Sequence, residues 1–303
     1  MSSFALLFAC LLLGAVLRKS GRLPASTPAA LNGFIIFISL PAVTFLSLHE
    51  IPFSRAMLYP ISMAWILFVT GAGVFVFVGK ALGWDKGVIG AVLLTCGLGN
   101  TSFVGFPLLE ALFGPHALKT GVLADQPGSF LVLCTLGIIA ASICSARSFG
   151  FREILAKAFS FPPLYTMALA VLLRLWHYPA WLASVFQRLA DTMIPLALVS
   201  VGYQTRFRLT HFKGFSQPLI WGLVYKLLIG PAAIALLFVG LMGARGEAIQ
   251  ITIAEAAMAP MITGAIVAAE YGLAPELATL LVGVGIPVSL LTVPVWVHFL
   301  RWV

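Results

Sequence analysis

Residues 99–109 read GNTSFVGFPLL and interrupt an apolar stretch that is otherwise long enough to form a membrane helix. Asn, Thr and Ser side chains compete for backbone hydrogen bonds, the two glycines loosen a helix, and Pro107 removes a backbone donor. A lipid-facing helix cannot carry such an interruption, because hydrocarbon offers unpaired backbone groups no partner. The stretch is therefore expected to lie inside the protein, against other helices or a water-filled cavity.

The amino-acid composition is that of an integral membrane protein. Of the 303 residues, 61% are hydrophobic and only 9% are charged, whereas a soluble domain carries about a quarter charged residues. The net charge of +8 would suit nucleic acid, but the sequence has no basic run and no basic patch interleaved with aromatic residues. We therefore expect the lipid bilayer, and no nucleic acid, as a partner.

Apolar runs of membrane-spanning length predict an all-α protein with about ten transmembrane helices. A polar connector at residues 145–160 separates five spans in residues 1–144 from five in residues 161–303. The predicted spans are 2–17, 29–48, 57–79, 87–113, 118–142, 161–175, 181–204, 214–240, 247–269 and 276–299.

Two prolines recur at matching positions of the two halves. Pro41 in the second span corresponds to Pro195 in the seventh, and Pro107 in the fourth corresponds to Pro260 in the ninth, at nearly the same separation along the chain. The halves are therefore predicted to be an internal repeat. Because each half holds five spans, the second must enter the membrane from the opposite side, which is the inverted repeat of secondary transporters.

The fourth and ninth spans are both predicted to be interrupted, and the two interruptions are expected to cross. An interrupted helix exposes N–H groups that attract anions and C=O groups that suit cations such as Na⁺. Crossed interruptions enclose a small polar cavity for a small polar ligand, whereas a kink without a binding site is the alternative for either one alone. The candidate substrate-binding residues are Asn100, Thr101, Ser102, Phe103, Gly105, Pro107, Met258, Pro260 and Thr263, with Pro41 and Thr44 lining the cavity from the second span.

Ionisable residues inside the predicted spans are candidates for coupling transport to an ion, because they are costly in a membrane and usually functional. Asp125, beside Gln126, lies early in the fifth span, and its alternative role is that of an interfacial carboxylate. Glu255 precedes the second interruption, where it could hold sodium or a proton, or form a structural hydrogen bond. Lys226, inside the eighth span, either pairs with a carboxylate, attracts an anion, or extends to the membrane surface.

Motifs of membrane enzymes are absent from the sequence. It contains no H-E-x-x-H, no G-x-S-x-G and no phosphate-binding glycine loop. None of the five histidines lies in mid-span near an acidic partner. We therefore expect no enzyme, no catalytic residue, no metal site and no cofactor, with Na⁺ or H⁺ as the candidate coupling ion.

The distribution of basic residues predicts an orientation in the membrane. Lysine and arginine are more frequent in the loops on the side of the connector than in the opposite loops. By the positive-inside rule, the connector is cytoplasmic and both termini lie outside. We expect a multi-pass protein of the cell inner (plasma) membrane.

Four segments together resemble the auxin efflux carrier family of membrane transporters. The resemblance covers essentially all ten spans and is closest to bacterial members labelled malate or malonate permeases, and the interrupted spans are also similar to bile acid sodium symporters. It implies a scaffold of spans one, two, six and seven, a transport domain of the other six, elevator-type alternating access and, commonly, a homodimer. The segments are 99–114 GNTSFVGFPLLEALFG, 124–137 ADQPGSFLVLCTLG, 190–202 ADTMIPLALVSVG and 254–273 AEAAMAPMITGAIVAAEYGL.

The chain departs from the family pattern in two respects. It lacks the asparagine that plant auxin carriers place after the second proline, so that Thr263 or nearby backbone would have to serve, and it has no long cytoplasmic loop between the halves. Both departures weaken auxin itself as the substrate. Glu255 is similar to the sodium-binding glutamate of bile acid symporters, which leaves the coupling ion open.

The sequence thus predicts a secondary active transporter of small organic anions, either carboxylates such as malate and malonate or auxin-like aromatic acids. The anion is expected to meet the N-termini of the interrupted helices and the side chains of Asn100 and Thr101. Two alternatives are a sodium-coupled symporter of a larger amphipathic anion and a membrane sensor that binds its ligand without moving it.

Overall fold

The computed structural model describes residues 2–50, 54–145, 162–173, 176, 178–204 and 214–302. Within these ranges all regular secondary structure is helical, and no strand is formed. Apart from Ser145, the predicted connector at 145–160 lies outside the described residues. The structure confirms the all-helical fold class.

The helices begin and end within a few residues of the predicted spans. Among the described residues, six helices are long and apolar enough to cross a bilayer, namely α2, α3, α6, α8, α9 and α12. The ten-span inverted repeat stays a prediction. The helices are α1 (Ser2–Ser20), α2 (Thr27–His49), α3 (Arg55–Ala81), α4 (Lys86–Cys96), α5 (Thr101–Phe113), α6 (Pro115–Cys144), α7 (Pro162–Leu172), α8 (Ala180–Gln204), α9 (Ser216–Leu241), α10 (Glu247–Ala256), α11 (Ile262–Glu270) and α12 (Pro275–Phe299).

Large apolar side chains cover the outside of the helices. Phe77 on α3 is 76% exposed and Leu172 on α7 is 77% exposed. Exposed apolar area of this kind is unfavourable in water and favourable against lipid tails. The outer surface therefore belongs in the hydrocarbon layer.

Helices α1, α2, α7 and α8 pack together and are called the first helix group. Gly14 of α1 lies against the backbone of Val199 in α8, and Gly202 of α8 lies against the backbone of Leu11 in α1. Small residues allow such close helix contact in membranes. A buried hydrogen bond of 2.6 Å from Ser200 Oγ to Asn32 Oδ1 joins α8 to α2.

The remaining helices, α3–α6 and α9–α12, form the second helix group. Helix α4 is its centre and packs against α3, α11 and α12. Tyr225 of α9 joins α3 by donating its hydroxyl to Leu67 O at 2.6 Å, and its oxygen lies 2.8 Å from Thr70 Oγ1. The two groups meet where α5 contacts α1 and α8, and where α6 contacts α2 and α7.

Candidate functional site

The first interruption is the segment 97–100 between α4 and α5. Asn100 caps α5, because its Oδ1 accepts the backbone N–H groups of Phe103 at 3.1 Å and Val104 at 3.3 Å. Helix α5 opens with a π-helical turn, Thr101–Gly105, and Pro107 is the second residue of the α-helical part that follows. The interruption thus lies at the N-terminal end of the predicted stretch, and Pro107 is already helical.

The second interruption is the segment 257–261 between α10 and α11, and it crosses the first. Asn100 N donates to Ala259 O, and Met261 N donates to Thr95 O, both at 2.8 Å. Gly99 and Pro260 pair as an isolated antiparallel bridge. The second interruption thus supplies a carbonyl to Asn100, and the last turn of α4 supplies one to Met261; such pairing is how non-helical backbone is tolerated at membrane depth. We call the two segments together the crossing.

Asp125 of α6 lies beside the N-terminus of α5. It is fully buried, its Oδ1 accepts the Thr101 hydroxyl at 2.6 Å, and its Oδ2 accepts Gln126 Nε2 at 3.2 Å. The π-helical turn Ala124–Phe130, which contains Pro127, carries both residues, and such turns are frequent at functional sites. The alternative of an interfacial carboxylate is wrong, because Asp125 has no exposed surface.

Glu255 near the end of α10 projects its carboxylate between two glycines. A methyl group placed at Gly105 would lie 2.7 Å from Glu255 Oε2, and one at Gly121 would lie 3.3 Å from Oε1. Glu255 is fully buried, and neither carboxylate oxygen has a hydrogen-bond partner among the described residues. The alternative of a structural hydrogen bond is therefore not seen. Gly121 was missed in the sequence, since a glycine that makes room for a distant side chain leaves no local pattern.

Lys226 of α9 reaches the crossing from the side. Its Nζ donates to Ala256 O, the last residue of α10, at 2.8 Å, and lies 3.0 Å from the position of a methyl group at Gly99. The residue is only 1% exposed. The alternative in which Lys226 extends to the membrane surface is therefore wrong.

The other predicted residues divide between the crossing and the first helix group. Met258 and Pro260 are buried in the second interruption, and Thr263 is half-buried in the first turn of α11. Pro41 and Thr44 lie on α2, where Thr44 Oγ1 donates to Leu40 O of its own helix at 2.8 Å. Ser102 and Phe103 are buried in the opening turn of α5.

A cavity of about 530 Å³ lies between the two helix groups. We call it the interface cavity. Phe106 of α5 lines this cavity. Because Phe106 follows Gly105, which lies beside the Glu255 carboxylate, the cavity approaches Glu255 along α5. Its wall is mostly apolar on α1 and α2, and it carries charged side chains from α5, α6 and α8. The polar lining residues are Ser47, Glu110, His116, Lys119, Gln187 and Asp191.

The sequence did not single out this cavity. Asp191 reads as an interfacial or helix-capping residue, yet it lines the cavity and accepts Gln187 Nε2 at 2.7 Å. Glu110 faces the same space from α5 and is close enough to Asp191 for the two charges to interact. The only sequence signal for this cavity was the charge of Asp191 near the start of a predicted span. In most membrane helices such a charge marks only the membrane interface.

Comparison with known proteins identifies the family. The family described as "Membrane transport protein" matches residues 1–148 and 149–297. An uncharacterized transporter of Methanothermobacter thermautotrophicus is 27% identical over 293 residues, which cover 94% of this chain and 93% of that protein. An uncharacterized transporter of Methanocaldococcus jannaschii is 23% identical over 278 residues, 88% of this chain and 87% of the relative. The chain therefore belongs to the membrane transport protein family, as its resemblance to the auxin efflux carriers predicted, and it is a membrane transporter.

Proposed function

We propose that the protein moves small organic anions across the inner membrane by secondary active transport, and that the anion binds at the crossing. The observation that carries this proposal is the Asn100 side chain. Its Oδ1 caps α5, but its Nδ2 is buried and has no hydrogen-bond partner among the described residues. A buried donor without a partner costs about 1–3 kcal/mol, which favours a ligand that accepts a hydrogen bond there.

The backbone around Asn100 favours a negative ligand. Helices α5 and α11 both begin at the crossing, and the N-terminus of a helix attracts anions. The residue before α11, Met261, has no side chain that can cap the free N–H groups of its first turn. We propose that the carboxylate of the substrate accepts hydrogen bonds from the Asn100 amide and from these backbone donors. Malate, malonate and auxin-like aromatic acids are the substrate classes we propose.

The packing of the two helix groups supports elevator-type alternating access. The crossing belongs entirely to the second helix group, and the interface cavity separates part of that group from the first. We propose that the second group carries the bound anion past the first, as a rigid unit. The interface cavity would then be the route by which water and substrate reach Phe106.

Four side chains near the crossing are proposed to couple this movement to an ion. Asp125, Gln126, Lys226 and Glu255 are all buried, and the charges of Asp125 and Lys226 both act on Glu255. A change in the charge of Asp125, Lys226 or Glu255 alters the cost of crossing the membrane, since buried charges are expensive there. Gln126 acts through its hydrogen bond to Asp125. The candidate coupling ions are H⁺ and Na⁺.

The test is transport by the purified protein in proteoliposomes, with labelled malate and a labelled aromatic carboxylate as probes. Asn100→Ser retains a good helix cap but removes the amide donor. We expect this variant to lose at least about tenfold in transport, equivalent to roughly 1.4 kcal/mol, with little change in melting temperature. Ser62→Ala on α3 is the control, because Ser62 bonds only to carbonyls of its own helix. Unchanged transport by Asn100→Ser would contradict the proposal, and binding without transport would favour a sensor.

A larger amphipathic anion is the second candidate substrate. The observation that favours it is the apolar wall of the interface cavity, which includes Leu6, Val43 and Phe106. A bile-acid-like probe transported faster than malate, and only in the presence of sodium, would establish this candidate. Flux that ignores sodium and collapses with a proton ionophore would exclude it.

A further inference from the structure

The charges at the crossing do not balance. Asp125, Lys226 and Glu255 are buried together, and the charged groups that act on Glu255 are Asp125 and Lys226. Among the described residues, two carboxylates thus share one ammonium group. An uncompensated buried charge costs several kcal/mol, so one carboxylate must be neutralised by a bound cation or by a proton.

The two carboxylates differ in the hydrogen bonds that they receive. Asp125 accepts one from Thr101 and one from Gln126, and such bonds stabilise a negative charge. Glu255 accepts none from the described residues. Glu255 is therefore the carboxylate that requires neutralisation.

The surroundings of Glu255 do not suit a metal cation. Hard cations are held by several oxygen ligands, but the two positions that flank the Glu255 carboxylate, 105 and 121, are glycines and offer no side-chain oxygen. Both oxygens of Asp125 already accept hydrogen bonds. A proton needs none of these ligands, because it forms a covalent O–H bond with one carboxylate oxygen.

The place that would attract a cation is already occupied by Lys226. Helix α4 ends at Cys96 and α10 ends at Ala256, and the carbonyl ends of helices attract positive charge. The Lys226 ammonium lies between these ends, bonded to Ala256 O and close to Gly99 and the Cys96 thiol. Lysine thus supplies a positive charge that is tethered to the protein.

We propose that Glu255 binds and releases the coupling proton, and that the Lys226 ammonium replaces the metal cation, so that transport is coupled to H⁺ and not to Na⁺. One proton passes from water to a Glu255 oxygen on one side of the membrane and returns to water on the other. This inference rests on the proposed transport function and names the ion for the same crossing.

The first test needs no substrate. The protein in lipid nanodiscs is titrated with acid and base while infrared difference spectra follow the C=O band of a protonated carboxyl group. We expect a buried-carboxyl band that Glu255→Gln removes and that is the same in NaCl and KCl. A band that persists in Glu255→Gln would overturn the proposal, as would a wild-type band that NaCl abolishes.

The second test concerns the tethered cation. Wild-type melting temperature is expected to be equal in NaCl and KCl, whereas Lys226→Gln is expected to melt at a higher temperature in NaCl than in KCl. Lys226→Arg keeps the positive charge and should remain insensitive to sodium. Stabilisation of the wild-type protein by NaCl, lost in Glu255→Gln, would overturn the proposal even if Lys226→Gln fails to fold.

The third test separates this inference from the proposed function. In proteoliposomes with a pH-sensitive dye inside, malate uptake should change the internal pH, and Glu255→Gln should exchange malate for malate without a pH change. If the wild type moves no carboxylate, the proposed function fails, while the infrared result still decides whether Glu255 holds the proton. Malate-driven pH change that is unaltered in Glu255→Gln would overturn the proton role.

Discussion

The two interruptions occupy matching positions in the sequence but are stabilised in different ways. The first relies on its own side chains, because Asn100 caps α5 and Thr101 binds Asp125 on the neighbouring helix. The second has no side-chain cap on α11, and the end of α10 is bound by Lys226 from α9. The crossing therefore has a donor-rich side, suited to an anion, and a side where a lysine and a glutamate control the charge.

This asymmetry shows how two similar halves acquire separate tasks. Backbone pairing across the crossing is reciprocal, with one N–H donated in each direction. Only the side chains around it differ. Three predictions test this difference and a fourth concerns a surface contact away from the crossing, from the largest expected effect to the smallest.

Removing the tethered charge should have the largest effect. Lys226→Met leaves Ala256 O without its donor and removes the positive charge beside Glu255. Breaking a buried ionic arrangement costs about 3–5 kcal/mol, so we expect the free energy of unfolding in detergent to fall by roughly that amount. Lys80→Met, at the exposed end of α3, is the matched control. Equal stability of the two variants would show that Lys226 is not paired in the folded protein.

Removing the hydroxyl that binds Asp125 should have an intermediate effect. Thr101→Val keeps the shape of the side chain but deletes a hydrogen bond of 2.6 Å to a carboxylate. A bond of this kind contributes about 1.5–3 kcal/mol, measurable by chemical unfolding. Thr279→Val is the control, since Thr279 is exposed and bonds only to Pro275 O of its own helix. A loss no greater than that of the control would mean that the first interruption does not depend on Asp125.

Filling the space beside Glu255 should cost a similar or smaller amount. The added methyl group of Gly105→Ala would lie 2.7 Å from Glu255 Oε2, and such overpacking typically costs about 1–3 kcal/mol. Gly73→Ala in α3 meets no atom within 4 Å and should be neutral or stabilising by up to about 1 kcal/mol. The two variants are compared by thermal unfolding. A stabilising Gly105→Ala would contradict the position of the Glu255 carboxylate.

Breaking the surface contact between His116 and Glu247 should have the smallest effect. His116 Nε2 and Glu247 Oε2 are 3.0 Å apart, and both side chains are about half exposed. An exposed pair contributes less than about 1 kcal/mol, so His116→Gln should barely change the melting temperature. A large loss of stability would show that this contact between α6 and α10 is shielded from water.

Several features of the candidate site were predictable because they contrast locally with their surroundings. Asn100, Asp125, Lys226 and Glu255 are polar residues in apolar runs, and each proved to be buried near the crossing. Pro260 indicated the second interruption for the same local reason. Pro107 was less informative, since it lies inside α5, after the π-helical turn, and the interruption precedes it.

The sequence by itself determined that this is an all-helical membrane transporter with interruptions near Asn100 and Pro260, because hydropathy and helix-breaking chemistry act over a few neighbouring residues. Only the tertiary structure decided which groups meet. The Lys226 ammonium binds a carbonyl 30 positions away, Glu255 lies between two glycines from α5 and α6, and the interface cavity joins Glu110 to Asp191. These contacts depend on how separate helices pack, and side-chain packing across a helix interface has no signature within either helix alone.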